Sequence, residues 1–321
     1  MALQHFSNLC THVRGELSKV LIGQAEVVDQ LLLVLACSGH ALIEGEPGLA
    51  KTLAVKALAR VCGLEFRRVQ CTPDLMPADI TGTNVFNLGT NSFDLHRGPI
   101  FTDLLLVDEI NRTPPRTQSA LLEAMEEGQA SIDGVCHHLP PSFTVLATQN
   151  PIEFEGTYPL PEAQLDRFLL KIRIQYPSEA QEVEILSRYD QGFDPRRLQS
   201  MPLEVLPEGL LSAARAEVAE VKVEPTLCSY AVSIVRRTRD WPAIALGASP
   251  RAAIGLFFVA RALAAMDGRD YMLPDDIKTA ALPVLRHRLM LKPDATLDGL
   301  TPDLVVQQVL SSVDIPQVYK K

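Results

Sequence analysis

The chain has 321 residues, 47% hydrophobic and 21% charged. That is close to the globular average, so extended disorder is excluded, and two domains are expected because single cores stop growing near ~250–300 residues. Lys and Arg total 30 against 39 Asp and Glu, a formal charge of -9, so the electrostatic footprint of a polyanion-binding protein is missing and no nucleic-acid partner is expected.

The longest apolar runs, 31–37 and 252–260, fall short of the ~20 residues that span a bilayer, so no membrane span is predicted. The first residues, MALQHFSNLCTHVRGE, lack the basic start, apolar core and cleavage site of a leader. The 6 cysteines, at 10, 37, 62, 71, 136 and 228, form no C-x-x-C pair. Reduced thiols in a cytoplasmic protein are the expectation.

From residue 24 to 174, β-like runs alternate with helical patterns, the signature of an α/β fold with a mostly parallel sheet. The predicted strands are 40–44, 66–70, 104–108, 143–148 and 169–174, with helices over 51–62 and 116–127. Residues 71–99 are rich in Thr, Asn, Pro and Gly and are too long for an ordinary connection, which marks them as functional. In 129–141, Asp133-Gly134 between β-compatible residues predicts a hairpin turn. A boundary is placed at Tyr176-Pro177, dividing the chain into an α/β domain over 1–177, with an N-terminal helix, and an all-α domain over 178–321. Helix starts in the second domain are predicted at Pro207, Pro225, Ser249-Pro250 and Pro274.

The first strand runs into Gly45-Glu46-Pro47-Gly48-Leu49-Ala50-Lys51-Thr52 and then a helix, the setting of a Walker A phosphate loop. Backbone N–H groups and a helix N-terminus cradle phosphate oxygens there, Lys51 adds a point charge, and Thr52 can ligate Mg2+. Ala50 stands where Gly is usual, and its methyl is tolerated there if the residue has ordinary helical dihedrals, since only positive φ demands Gly. The apolar strand 104–108 delivers Asp108 and then Glu109 at its C-terminal end, as a Walker B pair does. Asp108 is the expected Mg2+ ligand, directly or through water, and Glu109 the group that orients the attacking water.

With these motifs in place, the chain resembles the AAA+ ATPases and, more narrowly, the MoxR family. The segments that carry the resemblance are GEPGLAKT, LLLVDEINR, MEEGQASIDG, LATQNPIEFEGTYPLPEAQLDRF and SPRAAI. It implies a P-loop AAA+ core with a C-terminal helical lid, ATP and Mg2+ as cofactors, and a ring, expected to be a hexamer. By the same resemblance Asn150 is sensor 1, Arg251 sensor 2, and Arg167 the arginine finger that reaches a neighbouring subunit, with Arg112 and Arg116 as rival fingers. Gln24 is placed beside the adenine pocket, and 71–99 and 129–141 match the helix-2 insert and the pre-sensor hairpin. The implied activity is ATP hydrolysis that remodels or matures a protein partner, which in the family often bears a von Willebrand A domain. A nucleic-acid motor and a nucleotide-gated binding module with little turnover are the alternatives.

Several other features are read as structural. His137 and His138 point to opposite faces of a strand, so no metal site is expected there. Trp241 and the Phe257-Phe258 pair are expected to be lid packing, and Glu123, Glu126 and Glu127 a solvated helix face.

Overall fold

The computed structural model describes residues 5–150 and 157–316. Nine strands lie in the first part of the chain: β1 (Ala41–Glu44), β2 (Phe66–Gln70), β3 (Gly82–Asn87), β4 (Ser92–Arg97), β5 (Leu104–Asp108), β6 (Gln129–Ile132), β7 (Val135–His138), β8 (Thr144–Gln149) and β9 (Leu170–Arg173). Five form one parallel sheet in the order β2-β5-β8-β1-β9. The central strands, such as β5 with LLLVD, are apolar throughout because both faces of a parallel sheet are covered.

Alternate residues feed two cores. Leu104, Leu106, Ile43 and Ile172 face the helices α1 (His5–Ser18), α2 (Ala25–Ala36) and α3 (Lys51–Val61). Leu105, Val107, Val145 and Ala147 face α4 (Pro77–Thr81) and α5 (Pro115–Glu127). Of the two long connections, 129–141 is the expected hairpin, β6 with β7, turning at Asp133 (φ 49) and Gly134 (φ 81). The stretch 71–99 is less irregular than its composition suggested, since it holds α4 and the antiparallel hairpin β3–β4.

A short helix, α6 (Glu162–Leu165), precedes β9, and α7 (Glu179–Asp190) follows it, its start marked by Ser178. Then come α8 (Leu210–Ala219), α9 (Pro225–Arg239), α10 (Pro250–Met266), α11 (Pro274–Leu285), α12 (Pro293–Leu297) and α13 (Pro302–Ser311). The starts predicted at Pro225, Pro250 and Pro274 hold. Pro207 does not start a helix: it lies in a turn, and α8 opens at Leu210 after Gly209 (φ 80). Nor is this part purely helical, because β10 (Ile244–Leu246) pairs with β11 (Met290–Leu291). The helix α1 packs on α8, and the Glu217 carboxylate accepts the N–H of His5 at 3.2 Å and of Phe6 at 2.7 Å. These are orphan donors of a first helical turn.

The lid is tied to the sheet by Arg288. Its Nε donates to Asp166 Oδ1 at 2.7 Å, and its other nitrogens donate to the carbonyls of Phe168 and Leu169 just before β9. Ser249, the N-cap of α10, donates to Asp166 Oδ2 at 2.6 Å. The Arg288 side chain is only 4% exposed, and burial pushes its pKa down while Asp166 pushes it up. Arg288→Met keeps the apolar stem and strands the carboxylate, so urea unfolding should show a loss of about 3 kcal/mol. A loss below about 1 kcal/mol would mean that apolar packing alone holds the lid.

Candidate functional site

In a parallel sheet the C-terminal ends of adjacent strands open onto one crevice. Here β5, β8 and β1 are neighbours, so the segment after each arrives at the same edge. After β1 the loop 45–50 turns into α3, passing through the left-handed region at Gly48 (φ 85) and again at Ala50 (φ 56, ψ 24). The condition of ordinary helical dihedrals at Ala50 is therefore not met. Ala50 is the N-cap of α3, and the chain reverses its twist there before the first helical turn. For an L-residue with a Cβ this costs roughly 1–2 kcal/mol.

Lys51 Nζ donates to the carbonyls of Gly45 and Glu46, folding over the loop that begins with them. Burial pushes its pKa down, and Asp108, Glu109 and Glu46 oppose that shift. Thr52 Oγ1, in the first turn of α3, lies 3.4 Å from Asp108 Oδ2. The loop's far side is held by Gln24, the N-cap of α2, whose Nε2 donates to the Leu49 carbonyl at 3.0 Å. A cavity of about 290 Å³ opens beside it, lined by Ile22, Gln24, Leu49, Tyr176, Ile185 and Tyr189. Pro47 and Gly48 are exposed on the crest of the loop, and Glu46 is half-buried.

Asp108 ends β5 and is buried, and both its carboxylate oxygens are engaged. Thr148 Oγ1 on β8 donates to Oδ1 at 3.0 Å, and Arg68 Nε on β2 donates to Oδ2 at 2.6 Å. Thr148 Oγ1 also accepts the Glu109 N–H at 2.9 Å. Glu109 sits in the left-handed region (φ 60, ψ 52), a strained position for a non-glycine residue of the kind that clusters at functional sites. Its side chain pairs with Arg112 at 3.0 Å. Asn150, buried, directly follows β8 at the same edge. The structure thus brings together Gly45, Glu46, Pro47, Gly48, Leu49, Ala50, Lys51, Thr52, Asp108, Glu109, Asn150 and Gln24.

It does not bring Arg167 and Arg251 to them. Arg167 precedes β9 and Arg251 begins α10, and both meet Glu126 at the end of α5, beside the N-terminal ends of the strands. Arg167 Nη2 is 3.0 Å from Glu126 Oε2, and Arg251 Nη2 meets Oε1 of the same carboxylate. Glu126 is therefore not simply a solvated surface residue. The rival Arg116 is exposed on the first turn of α5.

Arg68, Thr148, Glu126, Asp166 and Arg288 escaped the sequence reading. Register explains Arg68: Gln70 lies opposite Asp108, so Arg68 is its diagonal neighbour on the same face, a relation invisible until β2 and β5 are paired. Among the described residues no group of three or more His, Cys, Asp or Glu could hold a metal ion, His137 and His138 included. Trp241 packs under the Arg237 guanidinium, 5.4 Å from its centroid, whereas Phe258, expected in the lid interior, is exposed. All six cysteines are free thiols.

The comparisons agree with this architecture. A family model described as "ATPase family associated with various cellular activities (AAA)" matches residues 40–170, and an AAA lid domain model matches 236–309. The chain is 45% identical over 314 residues to Chaperone MoxR1 of Mycobacterium tuberculosis, covering 94% of this chain and 81% of that one. It is 44% identical over 300 residues to the uncharacterized protein YeaC of Bacillus subtilis, covering 94% and 92%. A solved structure from Cytophaga hutchinsonii, 39% identical, superposes with a TM-score of 0.87 over 98% of this chain and 97% of that one.

The strain at Ala50 is testable by Ala50→Gly. The substitution removes roughly 1–2 kcal/mol of left-handed strain and adds about 0.5–1 kcal/mol of unfolded-chain entropy. Urea unfolding should show a net gain of about 0.5–1 kcal/mol. A loss of stability would contradict the geometry of the loop.

Proposed function

Since the chain belongs to the MoxR family of AAA+ ATPases, we propose that it binds ATP with Mg2+ at the loop 45–52 and hydrolyses it to remodel or mature a protein partner. The observation that carries this reading is the convergence of Lys51, Thr52, Asp108 and Glu109 at one sheet edge, with Thr52 and Asp108 side chains 3.4 Å apart. The division into a core over 1–177 and a lid over 178–321 is part of the same proposal.

Thr52 and Asp108 are hard oxygen donors and few in number. That suits Mg2+, which keeps several waters and completes its shell with phosphate oxygens rather than a cage of protein ligands. When bound, the ion neutralises charge on the β- and γ-phosphates. Lys51 exchanges its loop carbonyls for phosphate oxygens, and the N–H groups of 45–50 and of the first turn of α3 surround them. Gln24 holds Leu49 and borders the apolar cavity, which suits a purine base. Glu109 orients the attacking water, and Asn150 adds a second polar group at that edge.

Arg167 and Arg251 sit at the other end of the sheet, a placement that suits a nucleotide held by a neighbouring copy. A ring, taken to be a hexamer, follows from this reading, with Arg167 as finger and Arg251 as second sensor acting across the interface. That a relative is named a chaperone supports a protein substrate; a von Willebrand A partner and a cytoplasmic setting are carried by family likeness. Among the described residues no helix is long and apolar enough to cross a membrane.

Lys51→Ala should abolish binding of a fluorescent ATP analogue, whereas Glu109→Gln should keep binding and lose phosphate release. Normal turnover in the Glu109 variant would sink the assignment. With a net charge of -9, the rate should not respond to DNA or RNA; several-fold stimulation would favour a nucleic-acid motor. Arg167→Ala should bind ATP yet turn over about 10³-fold more slowly, roughly 4 kcal/mol of transition-state stabilisation. Mixed with Lys51→Ala it should regain hydrolysis, because some interfaces then pair a loaded site with an intact Arg167. Mixed rings as inactive as their parents would mean that Arg167 acts in cis or not at all, and would make Arg112 and Arg116 the next to test.

A further inference from the structure

Asp108 is held in a way that the phosphate loop does not require. Its Oδ1 is fixed by Thr148 at 3.0 Å, so the carboxylate cannot rotate without breaking that bond. Its Oδ2, the oxygen turned toward Thr52, carries the Arg68 guanidinium at 2.6 Å. Arg68 is further steadied by Gln70, its Nη2 lying 2.9 Å from Oε1. The Asp108 side chain is 9% exposed and that of Arg68 49%. A buried anion is thus neutralised by a cation reaching in from the solvent side of an edge strand.

A divalent cation shared by Thr52 and Asp108 would use the same Oδ2, directly or through a coordinated water, at O–metal distances of about 2.1 Å. Two cations on one carboxylate oxygen repel each other, with solvent screening part of the repulsion because Arg68 is half-exposed. Thr148 holds the carboxylate's orientation through its other oxygen, so Oδ2 is the one that faces Thr52, and the metal and Arg68 compete there. Arg68 is the movable one: its long side chain stands on the outermost strand of the sheet and is half in solvent.

We propose that Arg68 competes with the divalent cation for Oδ2 of Asp108 and thereby sets the magnesium concentration at which the subunit loads nucleotide. This rests on the nucleotide-binding reading above and adds to it a residue outside the phosphate loop and the Walker B strand. Arg68 stabilises the buried carboxylate when no metal competes, and it makes loading a response to magnesium and not to nucleotide alone. It is a positioning residue for Asp108, not a group that touches the reacting phosphate.

The test uses the full chain and two substitutions, Arg68→Gln and Arg68→Lys. Binding of a fluorescent ADP analogue at fixed concentration is followed while Mg2+ is raised, and Mn2+ binding beside the same nucleotide is followed by electron paramagnetic resonance. In Arg68→Gln the half-saturating Mg2+ and Mn2+ concentrations should fall about three- to fivefold, the size expected for releasing a half-exposed ion pair. Arg68→Lys, which keeps the charge, should stay near the wild type. Nucleotide affinity in EDTA should be the same in all three. An unchanged or raised metal requirement in Arg68→Gln overturns the inference, and so does weaker binding in EDTA, which would make Arg68 a phosphate ligand. Failure of the wild type to bind nucleotide at any Mg2+ concentration overturns the nucleotide reading and this inference together.

Discussion

The structure depends on burying both faces of one parallel sheet. Strand interiors such as Leu104–Val107 and Val145–Ala147 have no room for charge, so polar groups that do chemistry collect where the strands end. Asp108 shows the cost of standing at that border. It is buried enough to need partners for each oxygen, and it finds them on strands to either side, Thr148 on β8 and Arg68 on β2. The loop 45–52 and the left-handed Glu109 are arranged around that fixed carboxylate.

The same sheet has a second pole. At its N-terminal edge His40 donates from Nε2 to the Met125 carbonyl at 3.0 Å and accepts the Val145 N–H on Nδ1 at 2.9 Å. Burial pushes its pKa down to about 4, so it stays neutral and joins the end of α5 to the sheet. Beside it Glu126 gathers Arg167 and Arg251, one from the core and one from the lid. Because α5 runs from one edge of the sheet to the other, it connects the Glu109 neighbourhood with this arginine pair.

The lid meets the core at that second pole through charged contacts set on an apolar base. Asp166 receives Arg288 and Ser249, and Ser249 caps the helix that carries Arg251. Movement of α10 relative to the sheet therefore acts on the Asp166 and Glu126 contacts together. The cavity beside the loop 45–50, lined by Ile22 from before α2 and by Tyr189 from α7, lies between segments far apart in the chain.

Much of this was legible from local pattern. β-like runs located all five strands of the sheet to within a residue or so at each end; in the inner strands β1, β5 and β8 burial on two faces demands apolar stretches, whereas the edge strands β2 (FRRVQ) and β9 (LKIR) carry charge. The loop 45–52 between β1 and α3 and the Asp108-Glu109 pair at the end of β5 were legible because each is a run of residues adjacent in the chain, and Asp133-Gly134 because a tight hairpin needs two positive φ values. Pro207 misled, since proline suits a turn as well as a first helical turn, and Gly209 turned the chain first. Ala50 misled because backbone handedness follows from how the loop closes on the sheet, which the residue's identity does not report. Arg68 beside Asp108, Glu126 between two arginines and Arg288 on Asp166 are pairings across 40, 41, 125 and 122 positions of chain. The sequence by itself determined which segments are strands and helices and where the loop 45–52 joins them. Only the tertiary structure decided which charges meet, because strand order and register, not sequence distance, set the separation between charged side chains.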